Sequence, residues 1–419
     1  MVGPSLSGVE AESATLDPRG RRRRPVLMIV HAYYDEDPRV RREAESLAAA
    51  GRPVTVVGLR RPGEVADGTL NGVRIRRLDV QRHQGASLWT YLREYLAFLL
   101  RATFEGVRIQ RRQRLALAHV HSLPDFLVFA TLPLRLAGVP VILDLHEAMP
   151  EFFPSRFPGA ANPLTLGLLH LQERLSIAFS SATITVNEAM AARLVRLGVP
   201  PGKVSVIINS PSLARFDATA FPRRSFREDG TLRLIYTGAL TPTYELDVAV
   251  EAVAAIAAAR PELDVHLDIY GRGDSEADLR ERAARPRVAG RIVFHGRIPI
   301  DDVPAAVAAA DIGLAPTRLD PFTAVTLSTK VYEYAAMGKP VVASRLPLVE
   351  RTFPPGTVVT YEPGDTAALV AAILGCVDDA AARSAAVART AEIVRAAAWE
   401  RESERLVALV DRLAGDREA

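Results

Sequence analysis

A single cysteine, Cys376, stands in a chain of 419 residues. That scarcity excludes a disulfide framework and suits a reducing compartment. Lysine is nearly as rare: of 52 basic residues only Lys203, Lys330 and Lys339 are lysines, and the rest are arginines. Charge of one sign is also lacking. The net charge of +3 makes no demand for nucleic acid as a partner. No apolar run approaches the ~18 residues that a membrane-crossing helix needs. Residues 1–20 contain no apolar core of the secretory kind, and Arg21 to Arg24 come after them, so residues 1–24 are expected to form a disordered, basic-ended tail. The cytoplasm is the expected location. Zinc-spaced His/Cys clusters, GxSxG and P-loop motifs are all missing. What remains is 48% apolar and 24% charged, an ordinary globular balance at a length suited to two or three domains.

From Pro25 onward, short β-branched runs alternate with longer amphipathic ones, the pattern of parallel α/β units. Strands are expected at 25–31, 53–57, 117–121, 141–146, 182–186 and 203–208. Asp37 as N-cap and Pro38 at the first turn open a helix whose stripe holds Val40, Ala44, Leu47 and Ala48. Residues 211–230, with Pro211, Pro222 and Gly230 and no apolar periodicity, read as a linker. A second series follows, with strands at 232–236, 265–270, 292–295, 312–315 and 341–343. A helical run over 381–413 ends the chain. The expected architecture is two Rossmann-like, doubly wound domains, 25–210 and 231–395, facing across a cleft, with residues 396–419 crossing back to the first. Open α/β sheets bind ligands at their carboxyl edges.

The richest stretch is Ser328-Thr329-Lys330-Val331-Tyr332-Glu333, closed by Gly338. Ser328 and Thr329 are N-cap types, and a helix start with a lysine suits a phosphate. Glu333, one turn on, is placed to accept from the two hydroxyls of a ribose. Gly238, in the turn after the first strand of the second half, permits close backbone approach. Gly271-Arg272-Gly273 is only GxG, so a dinucleotide fingerprint is absent. His295-Gly296-Arg297 ends a strand where a base edge could be met. In the first half, Asp144, His146 and Glu147 lie at the end of an apolar run. There His146 could bond a sugar hydroxyl, stabilise developing charge, or serve as a structural histidine. His119 and His121 are expected on opposite faces of their strand. Asp35-Glu36-Asp37 is a DxD triplet, but Asp37 is already assigned as an N-cap, and no metal is expected. Residues 88–104, rich in aromatic and apolar side chains and followed by Arg108, Arg111, Arg112 and Arg114, read either as a membrane-surface helix or as a core-facing one.

These residues together resemble the GT-B glycosyltransferases of the large retaining family 4. The resemblance rests on 37–40 with 47–51, His119-Val-His121, 144–151, Tyr236-Thr-Gly238, 295–297 and 328–340. It implies transfer of a sugar from a nucleotide diphosphate donor, of UDP or GDP type, without metal or other cofactor. Glu333 would bind the donor ribose, and Ser328, Thr329 and Lys330 the sugar and diphosphate. Gly238 and Arg297 complete the donor side, with Arg297 beside the base. His146 would act near the transferred sugar, with Asp144 and Glu147 on the acceptor side. The acceptor would be a saccharide, a lipid-linked sugar or a small molecule, with a peripheral membrane contact through residues 88–104. Three positions depart from the family pattern. Val325 stands where an acid is usual, eight residues before Glu333, with Asp320 as a candidate substitute. Ala239 and Tyr244 stand where a basic pair is usual. An inactive nucleotide-sugar-binding subunit and a nucleotide-sugar epimerase are the rival readings, with a nicotinamide-dependent dehydrogenase more distant.

Overall fold

The computed structural model describes residues 23–81, 88–157, 159, 161–222 and 224–415. The expected tail lies outside these, except for its last two residues, and those are tied to the fold. Arg23 Nη1 donates to the Ala50 carbonyl at 2.8 Å and Arg24 Nη2 to that of Ala414 at 2.9 Å. Two compact units emerge. One ends at Ile208 and takes in the chain from Arg401, and the other runs Asn209–Glu400.

The first unit is built on β1 (Val26–Ile29), β2 (Val54–Leu59), β3 (Asp67–Leu70), β4 (Val73–Leu78), β5 (Leu117–His121), β6 (Val141–Leu145), β7 (Ala182–Thr185) and β8 (Val204–Val206). Their order is β3-β4-β2-β1-β5-β6-β7-β8, and every pair is parallel except β3 with β4. The β3–β4 hairpin goes beyond the expected strands. It turns on Asn71 and Gly72, both with positive φ, which the right-handed twist of a two-residue hairpin requires. Leu27, Ile29, Ala118, Val120 and Leu143 point to one face of the sheet and form a core with the helices Leu88–Gln113, Leu132–Leu136 and Pro163–Phe179. His119, His121 and Asp144 point to the other face, where the helix Pro38–Ala49 meets them.

The second unit holds β9 (Thr231–Thr237), β10 (Asp264–Tyr270), β11 (Ile292–Gly296), β12 (Ile312–Ala315), β13 (Val341–Ser344) and β14 (Val359–Tyr361). The order is β11-β10-β9-β12-β13-β14, all parallel, with the topological switch between β9 and β12. The last stretch is two helices, Ala380–Ala396 and Trp399–Ala414, rather than one run. From Arg401 the final helix packs into the first unit, burying Leu406 and Val410 and accepting from Ile208 N at Glu402 Oε2, 2.8 Å. Among the described residues, no helix is long and apolar enough to cross a membrane.

Candidate active site

In the first unit Asp37 caps the Pro38–Ala49 helix, its Oδ1 accepting from Arg39 N at 3.1 Å and Val40 N at 3.0 Å. Asp35 and Glu36 pair with Arg61 at 3.0 and 2.6 Å. The DxD triplet is thereby committed to a cap and an ion pair. The cap aims Arg39 inward. Its Nε and Nη2 reach the two oxygens of Asp144 at 2.9 and 3.0 Å, Nε also lies 3.0 Å from Glu43 Oε1, and Nη1 donates to the Ile207 carbonyl. Burial alone would raise the Asp144 pKa. The charge of Arg39, with His146 and hydrogen bonds from His119 and His121, reverses this and holds the carboxyl well below its usual range. Glu43 goes the other way, raised well above its ordinary value because burial outweighs the help of Arg39.

Two sequence expectations fail here. His119 and His121 do not face opposite ways. Residues two apart on a strand share a face, and their rings stack at 4.3 Å between centroids. Burial lowers both pKa values, so both are neutral near pH 7. Asp144, expected on the acceptor side, has no exposed surface at all. It acts from behind. His146 Nε2 lies 3.2 Å from Asp144 Oδ2 and 3.1 Å from His121 Nδ1, while the backbone N of His146 donates to Ser122 Oγ at 3.0 Å. With Nε2–H given to the Asp144 carboxylate, Nδ1 is left as the acceptor of a partly exposed ring. That tautomer suits a sugar hydroxyl. Glu147, half-buried next in the chain, has its pKa pushed up to about 7 by burial, so it exchanges a proton near neutrality.

Glu43, His119, His121 and Asp144 bring ligand-type atoms within 4.8 Å of one another. By donor chemistry that set could hold a divalent cation, but the Arg39 guanidinium already supplies positive charge to both carboxylates. The sequence reading held Arg39 only as part of the block 37–40, without a role, and Glu43 not at all. Their signal was two charged residues four apart, on the stripe that buries Val40, Ala44 and Leu47.

In the second unit the helix Thr329–Ala336 is fixed from one turn inside. The Tyr334 ring lies against Gly313, where a Cβ would come within 2.2 Å of it, and the Tyr334 hydroxyl accepts from Thr237 N at 2.8 Å. This anchors the helix at the switch between β9 and β12 and turns Lys330, four residues earlier, inward. Lys330 Nζ lies 3.9 Å from the Tyr244 ring centroid and 5.0 Å from that of Tyr236, and donates to Ser328 Oγ at 3.4 Å. Burial lowers its pKa to about 8, with Glu333 pulling the other way. Gly238 has φ 145°, and a Cβ there would sit 2.4 Å from Lys330 Cε. The room left by Gly238 is therefore taken by the lysine.

Other placements depart from expectation. Ser328 occupies the cap position without a side-chain capping bond, and its hydroxyl meets Lys330 instead. Glu333 is half-buried on the same helix. Arg297 is exposed just past β11, beside turns tied together by the backbone, as Gly238 N donates to Tyr270 O and Gly271 N to Gly296 O, both at 2.8 Å. Asp320, the candidate substitute for the acid missing at Val325, is engaged locally through one oxygen. Its Oδ1 accepts from Phe322 N and Thr323 N at 2.8 Å each, capping the Thr323–Val325 turn. Tyr244, at one position of the missing basic pair, supplies a ring face to Lys330.

Comparison with known proteins covers both units. The 4-like glycosyl transferase domain matches residues 37–210, and the family described as glycosyl transferases group 1 matches residues 231–379. Glycogen synthase of Mycobacterium tuberculosis is 26% identical over 80% of this chain and 81% of its own length. A phosphatidyl-myo-inositol mannosyltransferase of Mycolicibacterium smegmatis is 31% identical over 39% of this chain and 42% of its own. Among solved structures, sucrose-phosphate synthase of Thermosynechococcus elongatus superposes with a TM-score of 0.74 at 20% identity, covering 94% of this chain and all of that one. HepE of Anabaena, solved with UDP-glucose, gives 0.68 at 13% identity over 93% of this chain. The fold and the two matched families define a GT-B glycosyltransferase. Within that class the chain belongs to the family 4 type.

Proposed function

We propose that this glycosyltransferase takes a sugar from a nucleoside diphosphate held by the second unit and delivers it, with retention of configuration, to a saccharide or lipid-linked acceptor held by the first. The observation that carries the reading is Lys330. It is a buried ammonium at a helix start, beside a glycine turn, with its pKa lowered to about 8. A lysine so placed is short of negative charge, and a diphosphate supplies it together with acceptors for the helix amides. Glu333, one turn on, takes the ribose hydroxyls, and Arg297 lies toward the base. His146 meets the transferred sugar through Nδ1, and Glu147 accompanies it on the acceptor side. No metal enters this scheme, because Lys330 and the helix start neutralise the leaving diphosphate. The single cysteine, Cys376, is buried, which fits a reducing compartment such as the cytoplasm.

Relatives named for glycogen synthesis, inositol lipid mannosylation and 2-deoxystreptamine glucosylation support sugar transfer without choosing an acceptor. Thermal-shift screening of UDP, GDP and their sugars against the wild-type protein and Lys330→Met tests the donor side. A genuine ligand at a hundredfold excess over its dissociation constant adds about 2.7 kcal/mol of stability. A gain of equal size in Lys330→Met would remove the lysine from the site.

A further inference from the structure

The long helix Leu88–Gln113 turns its core side inward through Phe98, Ala102 and Ile109. Its other side is unusual. Trp89, Leu92, Leu96, Leu100 and Phe104 follow one another at three- and four-residue spacing and are 50 to 77% exposed. The helix Pro163–Phe179 repeats the pattern with Leu164, Leu168, Leu171 and Leu175, all more than half exposed. Both helices pack against the segment Asp125–Thr131. The short helix Leu132–Leu136 contacts the first helix, and its Arg135 lies over the Phe179 ring at the end of the second, 4.9 Å from the centroid. Its Leu136 is exposed as well. The helices bearing the two apolar stripes, with the short helix, therefore pack on the same face of the sheet. Scattered exposed leucines need no explanation, but exposed apolar stripes running along two helices of one layer do.

Charge on this side has one sign. The acids of the three helices, Glu94, Glu105 and Glu173, are all buried, paired inward with His31, Arg76 and Arg193 respectively. The arginines stay outside: Arg93, Arg101, Arg111, Arg112, Arg135 and Arg174 are exposed. An apolar surface whose own three helices expose cations and bury their acids is complementary to an anionic lipid surface. A second copy of the same face would bring like charges together.

We propose that the surface formed by the helices 88–113, 132–136 and 163–179 docks on anionic membrane, the apolar stripes entering the acyl boundary and the arginines meeting lipid phosphates. This identifies the lipid class and the residues behind the membrane contact expected from residues 88–104, and it adds two helices that the sequence did not point to. It rests on the glycosyltransferase reading only for its purpose, which is to bring a membrane-borne acceptor to the first unit. Docking itself is independent of sugar transfer.

The test is co-sedimentation of the full chain with vesicles of phosphatidylcholine alone or mixed with phosphatidylglycerol. Three proteins are compared: wild type, Leu100→Glu with Leu168→Glu, and Arg93→Ser with Arg101→Ser and Arg174→Ser. All of these positions are exposed, and retention of nucleotide binding in a thermal-shift assay verifies folding. Wild type should bind the anionic vesicles at least about tenfold more tightly than the neutral ones, and each variant should lose at least about tenfold. Equal binding to both vesicles overturns the proposal, as does binding untouched by either variant. So does a wild-type dimer, seen by sedimentation velocity, that the leucine variant dissociates without any vesicle binding. If nucleotide binding fails while vesicle binding holds, the donor-site reading falls and the docking surface stands.

Discussion

Lys330→Met is the sharpest perturbation of the donor site, because it should make the free protein more stable and the enzyme useless. A drop in the lysine pKa from 10.5 to about 8 corresponds to about 3 kcal/mol of penalty for keeping the charge buried. Methionine matches the length of the stem and carries no charge, so much of that penalty should vanish at pH 7. The sign with pH follows from linkage. The folded-state value lies below the unfolded one, so the penalty is fully present below pH 8 and fades as pH rises toward 10.5. The stability advantage of Lys330→Met should therefore be largest at pH 7 and small near pH 10, measured by urea denaturation. Binding runs the other way. A diphosphate holds the proton on the lysine, so nucleotide affinity in the wild type should fall by about tenfold per pH unit above pH 8. Loss of the charged contact in the variant should weaken binding by about 1.5–3 kcal/mol. Titration calorimetry from pH 7 to 9.5 reads both effects. Wild-type affinity that stays flat across that range, or a variant that binds UDP and GDP as tightly as wild type, would refute the reasoning.

Three further outcomes are expected. His146→Ala should lower the rate of sugar transfer by about a hundredfold or more while leaving nucleotide affinity within a few-fold, since its ring belongs to the first unit; steady-state kinetics beside calorimetry separates the two. Asp144→Asn should destabilise the fold by about 3–5 kcal/mol, because it leaves the buried Arg39 short of its bidentate partner; thermal or urea unfolding without ligand measures it. Asp125 is fully buried, neither carboxylate oxygen has a hydrogen-bond partner, and burial first, then Glu173, pushes its pKa up to about 8. Its folded-state value lies above the unfolded one, so ionisation costs stability as pH rises. Asp125→Asn should gain on wild type progressively from pH 4 to pH 8, and a constant difference would contradict the assignment.

Much of the fold could be read because it is local. Runs such as Val26–Ile29 and Val341–Ser344 are buried strands with no polar face, and turn residues punctuate them. The β3–β4 hairpin was missed although Asn71-Gly72 is a strong turn pair, because Asp67–Leu70 has little strand character of its own. The break between the last two helices falls at Ala397 and Ala398, where alanine gives no sign of a helix end. The donor helix could be read from its cap, lysine and glutamate, since these lie within one turn. What surrounds it could not. Tyr334 meets Thr237 from 97 positions away, and a Cβ on Gly238 would lie 2.4 Å from Lys330 Cε. Arg39 and Asp144 lie 105 positions apart, a pairing that only the sheet order creates.

A buried cation in each unit, Arg39 in the first and Lys330 in the second, shows why one is structural and the other receptive. Arg39 has two carboxylates within 3.0 Å, a carbonyl at 3.1 Å, and a pKa raised above its usual value. Its burial is fully compensated, so it gains nothing from an external anion. Lys330 is met by one hydroxyl and two ring faces, and its pKa is lowered. Ring faces attract a cation by about 0.5–2 kcal/mol, less than the cost of burying its charge. The deficit persists because the fold enforces it. Tyr334 locks the helix against Gly313, and the neighbouring turns leave no slack, since a Cβ on Gly271 would lie 1.8 Å from the Gly238 carbonyl. A buried ammonium that cannot retreat and is not neutralised from within is stabilised by whatever anion reaches it. The positive end of a helix at the sheet's switch point favours that anion being a phosphate.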